Sequence, residues 1–247
     1  MNNTILVLCP HPDDEIFTFP FIKQFNTKKY KINALFFIGN SIRRKEAIKS
    51  CLMNNWQPIF ASDLGYEFVD GCLHKSYEEL DNIIKELFNK FDIILSPVIE
   101  GGHQDHDTIG LCTALNLIKN NNKIVYFYST YTALGSFGLF SVMSNNKYSD
   151  NVFLNKKNNL RELPIKSLYF MFIVYKSQCL SWIFLFIPYI FNIILNRPAR
   201  IFTLNYKLIS DKNSIFRKLK NKPLYEIHKR CNKLDWIFFI NKFYINK

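Results

Sequence analysis

The chain has 247 residues, 48% of them hydrophobic, with a formal net charge of +12. That content can bury one large core, and no Gly-, Ser- or Pro-rich linker or internal repeat divides it, which excludes a string of small modules. The charge is uneven: residues 197–247 hold 13 Lys or Arg against 3 Asp or Glu, and the remainder 19 against 17. A basic tail of this kind can face anionic lipid, nucleic acid or a phosphorylated substrate, although a solvated basic face is the commoner explanation of a charge run.

Six cysteines (Cys9, Cys51, Cys72, Cys112, Cys179 and Cys231) lack CxxC spacing, and no secretory leader precedes the first apolar run. Free thiols in a reducing cytoplasm are the expectation. In chain order, Ile5-Leu6-Val7-Leu8 reads as a buried parallel strand. At its carboxyl end stands Cys9-Pro10-His11-Pro12-Asp13-Asp14-Glu15. A histidine and adjacent carboxylates on a proline-stiffened turn can supply two ligands to a metal and leave one carboxylate free to act as a base. The same acids also suit the positive end of a helix dipole. Phe17 to Phe25 is predicted to be a helix, Lys31 to Ile38 the second strand, and Ser41 the cap of the next helix. In that helix Arg43 and Glu46 lie one turn apart, a surface ion pair or, for the arginine, a reach toward substrate.

Glu67-Phe68-Val69 reads as a short strand before the turn Asp70-Gly71. Residues 76–90 place Leu80, Ile83, Ile84, Leu87 and Phe88 on one helical face. Phe91 to Val98 is a further strand, followed by Gly101-Gly102-His103-Gln104-Asp105-His106-Asp107 and a helix over Thr108 to Lys119. Ile124 to Tyr128 is another buried strand. Two acid-and-histidine clusters thus follow equivalent strand ends and can converge across one sheet edge. The alternation of strand and helix predicts an α/β fold, a three-layer and mostly parallel sheet with helices on both faces. His74 and His228 have no evident partner and are expected at the surface without a role.

The paired motifs resemble those of the PIG-L/LmbE family of zinc-dependent N-acetyl-sugar deacetylases, whose signatures run HPDDE near the N-terminus and GGHxDH about midway. The helix start Ile42-Arg43-Arg44-Lys45-Glu46-Ala47, the turn Asp70-Gly71-Cys72-Leu73, and Tyr175-Lys176-Ser177-Gln178 after Lys166 fit the same pattern. The resemblance covers roughly residues 4–180. Pro10 replaces a small residue usual before the first histidine, and Arg200 stands where many members have glutamate.

The resemblance implies a Rossmann-like deacetylase core over residues 1–165, while residues 166–247 read from their composition as an apolar-helical and basic C-terminal extension packed on the core or on a membrane surface. It further implies that His11, Asp14 and His106 bind zinc, or another divalent metal such as ferrous iron, with a position left open for water. Asp13 would be the general base, and His103 would stabilise the oxyanion or donate a proton. Asp105 would orient and charge His103, while Arg43 and Asp70 are candidates for holding the sugar. The expected reaction removes the acetyl group from an N-acetylated amino sugar of the N-acetylglucosamine type, lipid- or nucleotide-linked in surface-glycan assembly. Alternatives are a small soluble glycoside of a thiol or antibiotic pathway, and a non-catalytic membrane- or nucleic-acid-binding module on this fold. Nucleic acid is not expected as a partner of the enzyme.

Residues 167–195 are apolar and aromatic with a polar break at Lys176-Ser177-Gln178. The second run is about 24 Å long as a helix, short of the ~30 Å hydrocarbon core, so a full span is not expected. It is either buried core helix or an interfacial patch that, with the basic residues of the 180–247 region, meets an anionic membrane surface from the cytoplasm.

Overall fold

The computed structural model describes residues 3–25, 29–120, 122–132, 141–142, 152–156, 164–194, 200–206, 209, 212–219, 226, 231–233, 235–237 and 240. Strands are β1 (Asn3–Cys9), β2 (Tyr30–Phe36), β3 (Gln57–Phe60), β4 (Ile93–Pro97), β5 (Ile124–Tyr128), β6 (Tyr131–Thr132), β7 (Ser141–Val142), β8 (Phe153–Lys156) and β9 (Ile201–Leu204). Helices are α1 (Phe19–Ile22), α2 (Ser41–Met53), α3 (Tyr77–Lys90), α4 (Gln104–Lys119), α5 (Pro164–Tyr169), α6 (Cys179–Ile194) and α7 (Lys212–Lys218).

One seven-stranded sheet has the order β3-β2-β1-β4-β5-β9-β8. From β3 through β5 all neighbours are parallel, and β9 runs antiparallel to both β5 and β8. β1 is buried on both faces, so its apolar run is continuous rather than alternating. Leu6, Leu8 and Ile94 pack on one side with Leu80 and Ile84 of α3 and Ile109 of α4. Ile5, Val7, Ile93 and Leu95 pack on the other with Phe17, Ala47 and Cys51 of α2, Phe170 and Trp182. Helices therefore cover both faces, as the alternating pattern predicts, and each fully buried Leu, Ile or Val contributes about 1.5–3 kcal/mol.

The chain leaves β1 to build β2 and β3 on one side and returns to place β4 and β5 on the other. The order therefore reverses between β1 and β4, whose carboxyl ends flank a crevice where α/β sheets build sites. Both acid-and-histidine clusters begin there, just after Cys9 and Pro97.

Local departures from the sequence reading have physical causes. Residues 67–69 are loop, and the strand at that edge is β3, whose Gln57, Pro58 and Ile59 are not fully buried and carry little strand signal. The first helix is shorter than Phe17–Phe25, being a 3-10 turn over Asp14–Thr18 and then α1. Asn40, not Ser41, caps α2, its side chain accepting from the backbone N–H groups of Ile42 and Arg43. Arg43 and Glu46 do not pair: Arg43 turns to the first motif, and Glu46 accepts from the backbone and hydroxyl of Ser177. His74 is buried, with Nε2 3.7 Å from Cys231 Sγ, so it is not a surface residue. His228 lies outside the described residues. All six cysteines are free.

The 167–195 stretch divides between the two readings. Phe170, Met171, Val174, Tyr175 and Trp182 are buried in the core, whereas Leu180, Ile183, Phe186 and Ile194 of α6 are exposed. Among the described residues no helix is long and apolar enough to cross a membrane.

Gly110 fixes how closely α4 approaches β4. A Cβ there would lie 2.6 Å from the Pro97 carbonyl oxygen and 3.3 Å from Ile99 Cγ1. Gly110→Ala should therefore separate α4, and His106 with it, from the sheet. The expected cost is about 1–3 kcal/mol of unfolding free energy in a denaturant titration. An unchanged midpoint would mean that the helix can shift without loss.

Candidate metal centre and active site

The first motif is a tight turn in which Asp14 folds back on the start of its own loop. Asp14 Oδ2 accepts the backbone N–H of His11 at 2.8 Å. The turn needs an unusual backbone at Asp13, whose φ of 107° lies in the left-handed region that L residues rarely adopt. Non-glycine residues in such conformations cluster at functional sites, where surrounding bonds hold the strain. Here those bonds come from Glu15 Oε2, which accepts the Asp13 N–H at 3.0 Å, and from Arg43 Nη2, which reaches Pro12 O at 2.8 Å and Asp13 Oδ1 at 3.1 Å. Glu15 is fully buried, and its other oxygen accepts from the hydroxyls of Ser50 and Tyr175. Burial pushes its carboxyl up to about 7.

The second motif starts α4. His103 is the N-cap, and its Nδ1 accepts the Asp105 backbone N–H at 3.2 Å. Burial, with His11 nearby, lowers His103 to about 3, so the ring is neutral. With Nδ1 acting as acceptor, a neutral imidazole carries its proton on Nε2. Asp107 accepts from the N–H groups of Glu100 and Gly101 and so closes the loop between β4 and α4.

Across the crevice His11, Asp14 and His106 converge. His11 Nδ1 lies 3.4 Å from Asp14 Oδ2, His106 Nε2 lies 3.3 Å from the same oxygen, and the two ring nitrogens are 3.4 Å apart. A tetrahedral ion with ligands at about 2.0–2.1 Å has ligand-to-ligand edges of about 3.3–3.4 Å. The three atoms therefore form one face of such a tetrahedron, and two imidazole nitrogens with a carboxylate oxygen suit a divalent ion such as zinc. All three residues are buried. Burial alone would raise Asp14, but His106 and His11 hold it far below the usual carboxylate range.

Each imidazole must turn a lone pair inward, so its other nitrogen carries the proton. His11 Nε2 faces Asp70 Oδ1 at 3.2 Å and Asp105 Oδ2 at 3.4 Å. His106 Nδ1 faces Thr130 Oγ1 at 3.1 Å, and Thr130 in turn reaches Glu100 Oε1 through Oγ1 (3.4 Å) and its backbone N–H (2.5 Å).

All the expected site residues gather here, though not all in the expected contacts. Asp105 meets His103 through its backbone N–H, while its carboxylate, 3.9 Å from His103 Nδ1, faces His11 and accepts from Gly71 N and Leu73 N at 2.7 and 3.0 Å. Arg43 is engaged with Asp13, and Asp70 with His11. Glu15, Glu100 and Thr130 join the site without an expected role. The acid at position 15 was visible in the first motif, but Thr130 lies beyond β5, outside either cluster.

Glu100→Gln and Thr130→Val should each weaken metal binding about 10–100-fold, measured by chelator competition, because each disturbs the group behind His106. The same Glu100 variant tests a pH effect. Burial pushes Glu100 from 4.5 up to about 8, so between those values the folded chain keeps a proton that the unfolded chain releases. Stability of the metal-free chain should fall as pH rises through that window, and the Gln variant should flatten the slope. An unaltered slope would remove Glu100 as its source.

Residues 6–115 match the family model "PIG-L: GlcNAc-PI de-N-acetylase". No curated protein matches the chain in sequence. Among solved structures, N,N'-diacetylchitobiose deacetylase from Pyrococcus horikoshii, in complex with its inhibitor, is 15% identical with a TM-score of 0.52, over 91% of this chain and 88% of that one. The zinc-inhibited form of a teicoplanin deacetylase is 13% identical with a TM-score of 0.52, over 71% of this chain and 85% of that one. At such identities the likeness is one of fold. The family match spans both acid-and-histidine motifs, whose ligand atoms form the tetrahedral face, so the chain is similar to this family over residues 6–115.

Proposed function

We propose that the protein is a metal-dependent hydrolase that removes the acetyl group from an acetamido sugar, releasing acetate and a free amine. The observation that carries this reading is the face of His11 Nδ1, Asp14 Oδ2 and His106 Nε2 beside Asp13 and His103. A divalent ion held there, zinc or ferrous iron, supplies Lewis-acid polarisation to the acetamide carbonyl and to water. Asp13 takes a proton from the attacking water and delivers it to the departing nitrogen. Burial raises Asp13 well above its usual value even against the pull of Arg43, which makes it a stronger base than an exposed aspartate. His103, neutral with its proton on Nε2, donates to the oxygen on the tetrahedral carbon. Asp105 positions His11 and, through its backbone, His103. Arg43 aligns Asp13, and Asp70, half open to solvent, is the group best placed to meet sugar hydroxyls as well as His11.

A small soluble acetamido sugar or glycoside is the substrate class best supported. The two relatives of similar fold are described as deacetylases of N,N'-diacetylchitobiose and of teicoplanin, neither named for a lipid or nucleotide carrier. A carrier-linked N-acetylglucosamine is the second reading, favoured by the 13 Lys or Arg in residues 197–247, which suit a phosphate or pyrophosphate.

Acetate release from free, glycosidic, nucleotide-linked and lipid-linked N-acetylglucosamine, with metal-reconstituted protein, tests both. Asp13→Ala should lower turnover by about 10²–10⁴-fold while the bound metal is retained. Release from the soluble members alone would select the first reading. Absence of release from every member, with one metal bound, would reject the substrate class and leave the metal site standing.

A further inference from the structure

The exposed positions described in α6 are nearly all apolar. Its 16 residues include no charged side chain. One side is core: Trp182 is buried, with its ring 5.6 Å from that of Phe17. The other side carries Leu180 (76% exposed), Ile183 (50%), Phe186 (38%) and Ile194 (70%). At 3.6 residues per turn these positions fall on one side of the helix. Ile173, in the π-helical turn Phe170–Val174 that leads toward α6, is also exposed. A contiguous apolar face of this kind on a folded chain marks a surface that something covers.

We infer that this face of α6 rests in the interface of an anionic lipid bilayer, lying in its plane. At about 24 Å the helix is too short to span the hydrocarbon, but its length suits an in-plane position. Charge decides between a bilayer and a second copy of the chain. The exposed Lys176 opens the short turn Lys176–Gln178 that leads into α6, Arg197 and Arg200 follow the helix in sequence, and the chain from residue 197 onward is strongly basic. Anionic headgroups attract that charge, whereas a second copy would bring +12 against +12. The residues concerned lie outside the metal centre, so the inference does not rest on the proposed reaction.

The test uses the full metal-loaded chain in co-sedimentation with vesicles of phosphatidylcholine, alone or with about one-third phosphatidylglycerol. Binding is expected to the anionic vesicles, to weaken with salt, and to fall at least about tenfold in Leu180→Asp and in Ile183→Asp. Metal content, thermal midpoint and any deacetylation of a soluble acetamide should stay unchanged in both variants. Three results would overturn the inference: no binding by the unaltered chain, equal binding by both variants, or a concentration-dependent dimer that the variants dissociate. If one variant unfolds, the other decides, since the two positions are independently exposed.

Discussion

Two imidazoles and one carboxylate oxygen must each turn a lone pair toward a single shared point, and much of the site follows from that constraint. An imidazole offers a lone pair on one nitrogen only if the other holds its proton, and a buried N–H needs an acceptor. Behind His11 stand Asp70 and Asp105, and behind His106 stand Thr130 and Glu100. Asp105 and Glu100 are themselves fixed by backbone donors, and Thr130 stands just beyond the end of β5. The triangle is thus the inner layer of a structure that reaches into the 70–73 loop, the β4–α4 loop and the segment after β5.

The same arrangement concentrates acid. Asp13, Asp14, Glu15, Glu100, Asp105 and Asp107 are all buried at one edge of the sheet. Burying carboxylates without compensating charge is costly, and the chain uses three devices against it. Arg43 pairs with Asp13, backbone N–H groups in the 71–73 loop donate to Asp105 and those in the β4–α4 loop to Asp107, and burial raises Glu15 to about 7 and Glu100 to about 8, which lessens their charge. A divalent ion on the His11–Asp14–His106 face would be a fourth, and the most concentrated.

The strand-end motifs were legible because their chemistry is dense in sequence. Strong apolar runs marked β1, β2, β4 and β5, and the acid-and-histidine clusters followed two of them directly. What was not legible depended on contacts between distant segments. Thr130 is one hydroxyl among many until the sheet brings it to His106. The Asp105 carboxylate could not be assigned to His11 rather than His103 without the path of the 70–73 loop, which supplies two of its donors. β3 escaped notice because half-buried edge residues carry no clear period, and Asn40 was passed over for a neighbouring serine with the same capping chemistry. The exposure of α6 was also hidden, since a residue's apolar character does not say which side of a helix meets the core.

Tyr175 reaches Glu15 from 160 positions away in the chain. Glu15, together with Arg43, holds the left-handed Asp13, so the conformation of the first motif depends in part on a segment beyond the residues that match the family model. A chain truncated at residue 165 would retain every ligand to the metal and still leave the Glu15 carboxylate short of a donor and Phe17 without Trp182. The first turn is therefore completed by a late part of the chain. In vectorial synthesis the ligands emerge first, but their geometry is completed only when the C-terminal part has packed back onto them, which makes assembly of the centre a report on the folding of the whole chain.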